Sequence, residues 1–351
     1  METAINNPLG TDGFEFIEYT AQDSRGLARL FEQMGFIAVG RHRSKDVILY
    51  RQGDINFIIN HEPDSFAQAF ARLHGPSVCA IGLRVHNAAQ AVQRARESGA
   101  EVFENHPGPM ELNIPAIHGV GRSLIYLIDR YECGSVYDVD FLPIEGIPLR
   151  PKGVGLISID HLTNNVRDGH MDRWAQFYQR IFAFREIRYF DIQGERSGLR
   201  SRAMVSPCGK VRIPINEPTD SKSQIQEYLD LYHGEGVQHI ALSSADIYAT
   251  VEALRAAGVE FMDVPDSYYD TVNTRLPWQD EDLQRLRWNR ILIDGATRKE
   301  GGLLLQIFTQ TVIGPIFFEI IQRQGHQGFG EGNFQALFEA MERDQLKRGV
   351  I

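Results

Sequence analysis

The chain has 351 residues, 43% of them hydrophobic and 23% charged, which is ordinary for a soluble enzyme and long enough for two or three cores. Its 46 acids outnumber 36 Lys and Arg, for a net charge of −10, and no basic run appears; this argues against a nucleic-acid partner, because phosphate binding needs clustered cations. Met1–Gly13 lacks the charged and apolar regions of a leader, short apolar runs such as Ile316–Phe318 fall far below a membrane span, and Cys79, Cys133 and Cys208 are too few and too scattered for a disulfide framework, so a cytoplasmic, non-membrane protein is expected.

In chain order, Phe14–Tyr19 alternates like a strand, Gly26–Met34 has helical periodicity, and Val47–Tyr50 and Ile55–Ile59 alternate again up to Asn60. A second unit starts near Val78, continues with a helix over Ala88–Ser98 that Gly99 ends, and closes with predicted strands at Leu124–Ile128 and Ser135–Phe141. Six prolines and glycines crowd between Pro143 and Gly155, which reads as a linker dividing residues 1–150 from 151–351. Beyond it, Leu156–Leu162 repeats the opening strand, Arg173–Phe182 the first helix and Val211–Asn216 the strand that ended at Asn60. The fourth unit runs from Val237 through a helix over Asp246–Ala257 to strands at Leu303–Phe308 and Ile316–Ile321.

The second and fourth units are copies. His74–Glu101 returns as His233–Glu260 at a constant offset of 159 residues (233 minus 74, and 258 minus 99), and the identities are mostly apolar residues and glycines, hence scaffold. Each unit reads roughly β-α-β-β-β, so the expected class is α+β, with paired units curling into one open barrel per half and a C-terminal helix. One difference inside the repeat carries chemistry: His239 stands where the first copy has Ala80.

Candidate inward residues of the second half, His161, Ser201, Asn216, Gln238, His239, Gln306, Phe308 and Glu319, are too polar for plain core, whereas Phe16, Ile17, Phe57, Ile58 and Ile59 of the first half are ordinary filling. The active site is therefore expected in the second half. His161, His239 and Glu319 come from separate strands, and two imidazoles with one carboxylate leave open positions on a metal, the arrangement for Fe(II) that binds an organic chelate and dioxygen together. Taken alone the set is unspecific. A strand histidine is commonly a satisfied core residue, and Glu319, in the apolar run Ile316-Phe317-Phe318-Glu319-Ile320-Ile321, needs some cation, which an arginine supplies as readily as a metal.

Ile159-Asp160-His161-Leu162-Thr163, Pro214-Ile215-Asn216-Glu217-Pro218, Ser223-Gln224-Ile225-Gln226, Gly236-Val237-Gln238-His239-Ile240-Ala241, Leu304-Leu305-Gln306-Ile307-Phe308, Phe318-Glu319-Ile320-Ile321-Gln322-Arg323 and Gly328-Phe329-Gly330-Glu331-Gly332-Asn333-Phe334 together resemble the 4-hydroxyphenylpyruvate dioxygenase family. Gly13–Glu18, His42–Lys45 and Gly108–Asn113 are similar to its bacterial form, so the likeness covers nearly the whole chain. It implies the vicinal-oxygen-chelate fold, a first half without metal, and a second half whose His161, His239 and Glu319 hold Fe(II). It further implies a catalytic part for Gln238, Gln306, Asn216 and Phe334, and substrate contacts by Ser201, Pro214, Asn216, Gln224, Gln238, Gln306, Phe308, Phe317, Phe329, Asn333 and Phe334. Neutral amides suit the charge arithmetic, since Fe(II) plus one carboxylate is formally +1 and a chelating 2-oxo acid brings −1.

The implied reaction takes 4-hydroxyphenylpyruvate and O2 to homogentisate and carbon dioxide in tyrosine and phenylalanine catabolism, the substrate serving as its own 2-oxo acid; a homo-oligomer, tetramer or dimer, is implied too. Asn333 as N-cap, with Phe334, Leu337, Phe338 and Met341 on one face, predicts a helical lid preceded by hinge glycines. Hydroxymandelate synthase, which shares substrate, iron and fold, is the rival among enzymes, and Phe334 and Pro214 favour the dioxygenase over it. A non-catalytic ligand binder of the same fold is the rival of another class.

Overall fold

The computed structural model describes residues 6–132, 134–193, 198–295, 302–330, 333, 335, 345, 346 and 349. Its strands are β1 Thr11–Thr20, β2 Ile37–His42, β3 Val47–Gln52, β4 Ile55–Asn60, β5 Ser77–Val85, β6 Val102–Phe103, β7 Ala116–His118, β8 Leu124–Ile128 and β9 Phe141–Pro143 in the first half. In the second they are β10 Leu156–Asn165, β11 Arg185–Gln193, β12 Gly198–Val205, β13 Arg212–Pro218, β14 Gly236–Ser244, β15 Leu292–Gly295, β16 Leu303–Phe308 and β17 Phe317–Gln324. The two sheets have orders β6-β7-β8-β5-β1-β4-β3-β2-β9 and β11-β12-β13-β10-β14-β17-β16-β15. Apart from β9, these are one arrangement used twice: each half pairs two βαβββ modules along their first strands, β1 with β5 and β10 with β14. This is the vicinal-oxygen-chelate, or glyoxalase-like, α+β fold.

Local chemistry explains why the repeat folds alike. Asn87 caps the helix Ala88–Glu97 by accepting from Gln90 N at 2.8 Å, and its repeat partner Asp246 caps Ile247–Ala256 by accepting from Tyr248 N and Ala249 N at 3.1 Å. Each cap contributes about 1 kcal/mol. The buried faces of these helices, Ala88, Ala91 and Ala95 in one and Ile247, Val251 and Leu254 in the other, pack into one large core that also joins the halves. There Phe57 of β4 stacks on Phe318 of β17, centroids 6.0 Å apart, and the His74 ring lies 4.6 Å from that of Tyr232.

Two sequence expectations are corrected. Ser135–Phe141 is not a strand: Val136–Asp140 is a short helix, because Ser135 and Asp138 form a capping box whose reciprocal bonds outweigh the alternation of Val-Tyr-Asp-Val-Asp, and only Phe141–Pro143 pairs, as the edge strand β9. The second correction concerns Glu18, which the sequence makes the best counterpart of His161 when Phe16-Ile17-Glu18-Tyr19-Thr20 is laid on Ile159-Asp160-His161-Leu162-Thr163. In β1, Glu18 pairs with Ala80 and Phe16 with Gly82; in β10, Thr163 pairs with His239 and His161 with Ala241. Register therefore makes Phe16 the counterpart of His161 and Glu18 that of Thr163. The helices Phe66–His74, Gln224–Tyr232 and Leu283–Asn289 went unread. The helical lid predicted from Phe334, Leu337, Phe338 and Met341 lies outside the described residues.

Candidate metal centre

Three neighbouring strands build the centre. His161 of β10 and Glu319 of β17 both lie beside Ala241 of the intervening β14, and His239 sits two residues further along β14. A small residue is needed between them, since the two flanking side chains meet above it. His161 Nε2 and Glu319 Oε2 are 3.2 Å apart, His239 Nε2 and Glu319 Oε2 3.5 Å, and the two Nε2 atoms 3.4 Å. All three side chains are buried. Among the described residues this is the group of three or more His, Cys, Asp or Glu close enough to share a metal ion.

Two β-bulges orient the imidazoles. Between the pairs Ile159–Leu242 and His161–Ala241, β10 carries one extra residue, Asp160; between Thr163–His239 and Asn164–Val237, β14 carries one extra residue, Gln238. Each extra residue supports the histidine beside it. His161 Nδ1 lies 2.8 Å from Asp160 Oδ1, and His239 Nδ1 lies 2.9 Å from Gln238 Oε1. Both partners are oxygens, so each Nδ1 donates, which leaves the lone pair of each neutral Nε2 available to a metal.

Two lone pairs and a carboxylate aimed at one point repel each other unless a cation lies between them. Burial opposes ionisation of Glu319, but in the metal-free state the charge of His161 and its hydrogen bond, with the nearby His239, outweigh it and hold the carboxyl down at about 2. Burial likewise lowers His161, yet Glu319 and Asp160 raise it above the ordinary imidazole value, whereas burial wins at His239, which is lowered. Without metal, a proton on His161 answers the carboxylate. The donor set fits a divalent first-row metal: cis ligands about 2.1 Å from such an ion lie roughly 3 Å apart, close to the separations seen.

A cavity opens beside the triad, lined by His161, Thr163, Phe190, Ser201, Pro214, His239, Gln306, Phe308, Glu319 and Phe329. Of the expected pocket residues, Ser201, Pro214, Gln306, Phe308 and Phe329 thus border it. Gln306 Nε2 donates to Glu319 Oε1 at 2.7 Å and to Phe329 O at 3.3 Å, while its Oε1 accepts from Asn333 Nδ2 at 2.8 Å. Asn216 Nδ2 donates to Asn165 Oδ1 and Gln238 Oε1, at 3.2 and 3.3 Å, extending the support behind His239. Phe317 stacks on the His239 ring, centroids 4.9 Å apart. Buried Asn216 Oδ1, Gln224 Nε2 and Asn165 Nδ2 have no hydrogen-bond partner, an arrangement that costs stability unless a ligand satisfies them. Phe334 lies outside the described residues.

Sequence reasoning missed Thr163, whose Oγ1 is 3.0 Å from His239 Nε2, and Phe190 on β11. The alternation His161, Thr163, Asn165 along β10 was the available signal. In the first half the same framework survives without ligands. Glu15 and Cys79 are its bulge residues, and Phe16, Ala80 and Tyr126 occupy the places of His161, His239 and Glu319. The rings of Phe16 and Tyr126, centroids 5.8 Å apart, fill the space, and a Cβ on Gly82 would come within 2.7 Å of the Phe16 ring.

Residues 5–142 match the family model described as hydroxyphenylpyruvate dioxygenase, N-terminal, and residues 158–282 that of the glyoxalase/bleomycin resistance protein/dioxygenase superfamily. "Hemolysin VllY" of Vibrio vulnificus is 59% identical over 100% of this chain and 99% of its own length. The 4-hydroxyphenylpyruvate dioxygenase of Pseudomonas aeruginosa is 57% identical, covering 99% and 98%. A solved xylose isomerase-like TIM barrel/4-hydroxyphenylpyruvate dioxygenase fusion protein superposes with a TM-score of 0.82 at 34% identity, over 98% of this chain and 55% of that one. With more than half its residues shared along the full length of such a relative, the chain belongs to the 4-hydroxyphenylpyruvate dioxygenase family.

Proposed function

We propose that this chain converts 4-hydroxyphenylpyruvate and O2 to homogentisate and carbon dioxide, with Fe(II) held by His161, His239 and Glu319. The observation that carries the reading is the convergence of three buried ligand atoms, each pair within 4.8 Å, on the wall of a cavity whose other polar groups are uncharged. Fe(II) bound there supplies adjacent open positions for a chelating 2-oxo acid and for dioxygen. With a net charge near zero at the centre, the pocket needs no arginine clamp, and its amides orient the substrate by hydrogen bonds alone.

In this reading Asp160 and Gln238 keep each Nε2 unprotonated and aimed, and Gln306 fixes one oxygen of Glu319 so that the other faces the metal. Phe308 and Phe329 supply apolar walls for the aryl ring, with Phe334 added on the family resemblance. Asn216 Oδ1 and Gln224 Nε2 offer a free acceptor and donor to polar groups of the substrate. Residues 1–150 form a domain without metal and 151–351 the catalytic domain. We place the reaction in cytoplasmic tyrosine and phenylalanine catabolism, and the chain in a homo-oligomer, tetramer or dimer, on the family resemblance.

His161→Ala, His239→Ala and Glu319→Ala test the ligand set. Each variant is expected to bind iron weakly and to lose homogentisate formation while keeping the far-ultraviolet circular dichroism of the parent. Full turnover by any of them at wild-type iron content would remove that residue from the triad.

A further inference from the structure

The two metal-facing histidines are supported by different chemistry. An uncharged amide stands behind His239, whereas behind His161 stands the carboxylate of Asp160, 6% exposed and brought beside its neighbour's ring by the bulge in β10. That carboxylate is shared. Arg323, two strands away on β17, reaches across β14 and donates from Nε to Asp160 Oδ2 at 2.7 Å and from Nη2 to Oδ1 at 2.8 Å. Its remaining nitrogen, Nη1, donates to the backbone oxygens of Gly328 at 2.5 Å and His326 at 3.2 Å.

A second arginine repeats the connection more loosely: Arg212 Nη1 lies 3.7 Å from Asp160 Oδ2, and its Nη2 donates to Gln327 Oε1 at 3.2 Å. Two residues beyond Gln327, Phe329 sets its ring against that of His161, centroids 5.3 Å apart and steeply inclined at 74°. Segment 326–329 is thus fastened to the same carboxylate that aims a metal ligand. A planar guanidinium does this with one side chain, since its fork matches the carboxylate on one edge and leaves a further N–H for backbone carbonyls; a lysine ammonium lacks that geometry.

We propose that Arg323 is a positioning residue that makes the seating of segment 326–329 over the pocket and the aim of His161 at the metal a single event. The inference rests on the triad taking a divalent metal, as read above, and on nothing further in the reaction. When metal fixes His161, Asp160 is fixed through Nδ1, Arg323 through Asp160, and the carbonyls of residues 326 and 328 through Arg323. When the segment lifts, Asp160 loses its clasp and His161 its aim.

The test uses the full chain, metal-free and then titrated with Co(II), whose visible bands report its ligand set, with backbone amide exchange followed in 326–329. In the parent, Co(II) is expected to slow that exchange about tenfold or more. Arg323→Gln is expected to weaken Co(II) binding by 10–100-fold, the usual effect of losing support behind a ligand, and to abolish the metal-dependent slowing; Arg323→Lys should fall between. The metal-free variants should melt within a few degrees of the parent. If Arg323→Gln does not fold, Asp160→Asn, which keeps an oxygen for His161 but loosens the arginine, should give the same uncoupling. Parental affinity and parental slowing in a folded variant would overturn the proposal, as would lost slowing with unchanged affinity. A parent chain that takes up no Co(II) would overturn the metal reading itself, and the coupling with it.

Discussion

Gln306 spends both ends of one amide: its NH2 holds Glu319 and the Phe329 carbonyl, and its oxygen holds Asn333. Gly330 passes so close that a Cβ there would lie 2.5 Å from Gln306 Oε1, so the chain keeps glycine at this crossing. Gln306→Glu would replace a donor at 2.7 Å from a carboxylate with a second carboxylate, and the two charges cannot both stand in so dry a place. We expect iron affinity and kcat/KM to fall by about 10–100-fold with the fold intact, measured by metal titration and steady-state rates. Parental values would show that Glu319 needs no outer partner. At this scale Glu319 was legible in the sequence, as an acid in an apolar run, and the two histidines through their family motifs. Asp160 and Arg323 were not, because neighbouring residues serve one centre only where a bulge breaks the strand's period of two, and one sequence does not display its bulges.

At the scale of the element, both halves carry the same pair of bulges, at Glu15 and Cys79 in one and at Asp160 and Gln238 in the other. The scaffold is common, and the identity of three side chains separates the candidate metal centre from a filled core. Ala80→His is therefore expected to bind no second iron, since Phe16 and Tyr126 hold the other two positions; elemental analysis showing two irons per chain would contradict this. The histidine absent at Ala80 was readable from the repeat alone, but Glu18 was misassigned because β1 lies outside the matched repeat, and its offset to β10, 145 residues (161 minus 16), differs from the repeat's 159.

Glu18 itself is buried, accepting from Asn60 Nδ2 at 2.8 Å with Cys79 Sγ 3.7 Å away. Burial raises its carboxyl above the ordinary value of 4.5 despite those hydrogen bonds and the charge of Lys45. The folded state therefore holds this proton more tightly than the unfolded one, and stability falls as pH rises from about 4.5 through the raised value. Glu18→Gln keeps an oxygen for Asn60 without titrating. It should raise Tm by a few degrees at pH 8 and by much less at pH 5; an equal difference at both would show that Glu18 does not titrate in that window.

Across the whole molecule, two half-barrels share one core, and the doubled βαβββ plan was legible because a glycine, a cap and an apolar face recur at fixed spacing. The way residues far apart in sequence meet was not: register decides which residue stands opposite which, and it emerges only when β10, β14 and β17 lie side by side. In the function proposed for it, this chain oxidises a substrate that is its own 2-oxo acid. Anaerobic loading with Fe(II), followed by 4-hydroxyphenylpyruvate and a measured amount of O2 with no 2-oxoglutarate added, tests it most directly. O2 consumed, carbon dioxide released and homogentisate formed should rise in a one-to-one-to-one ratio. Accumulation of 4-hydroxymandelate in place of homogentisate, or iron binding with no O2 uptake, would contradict it.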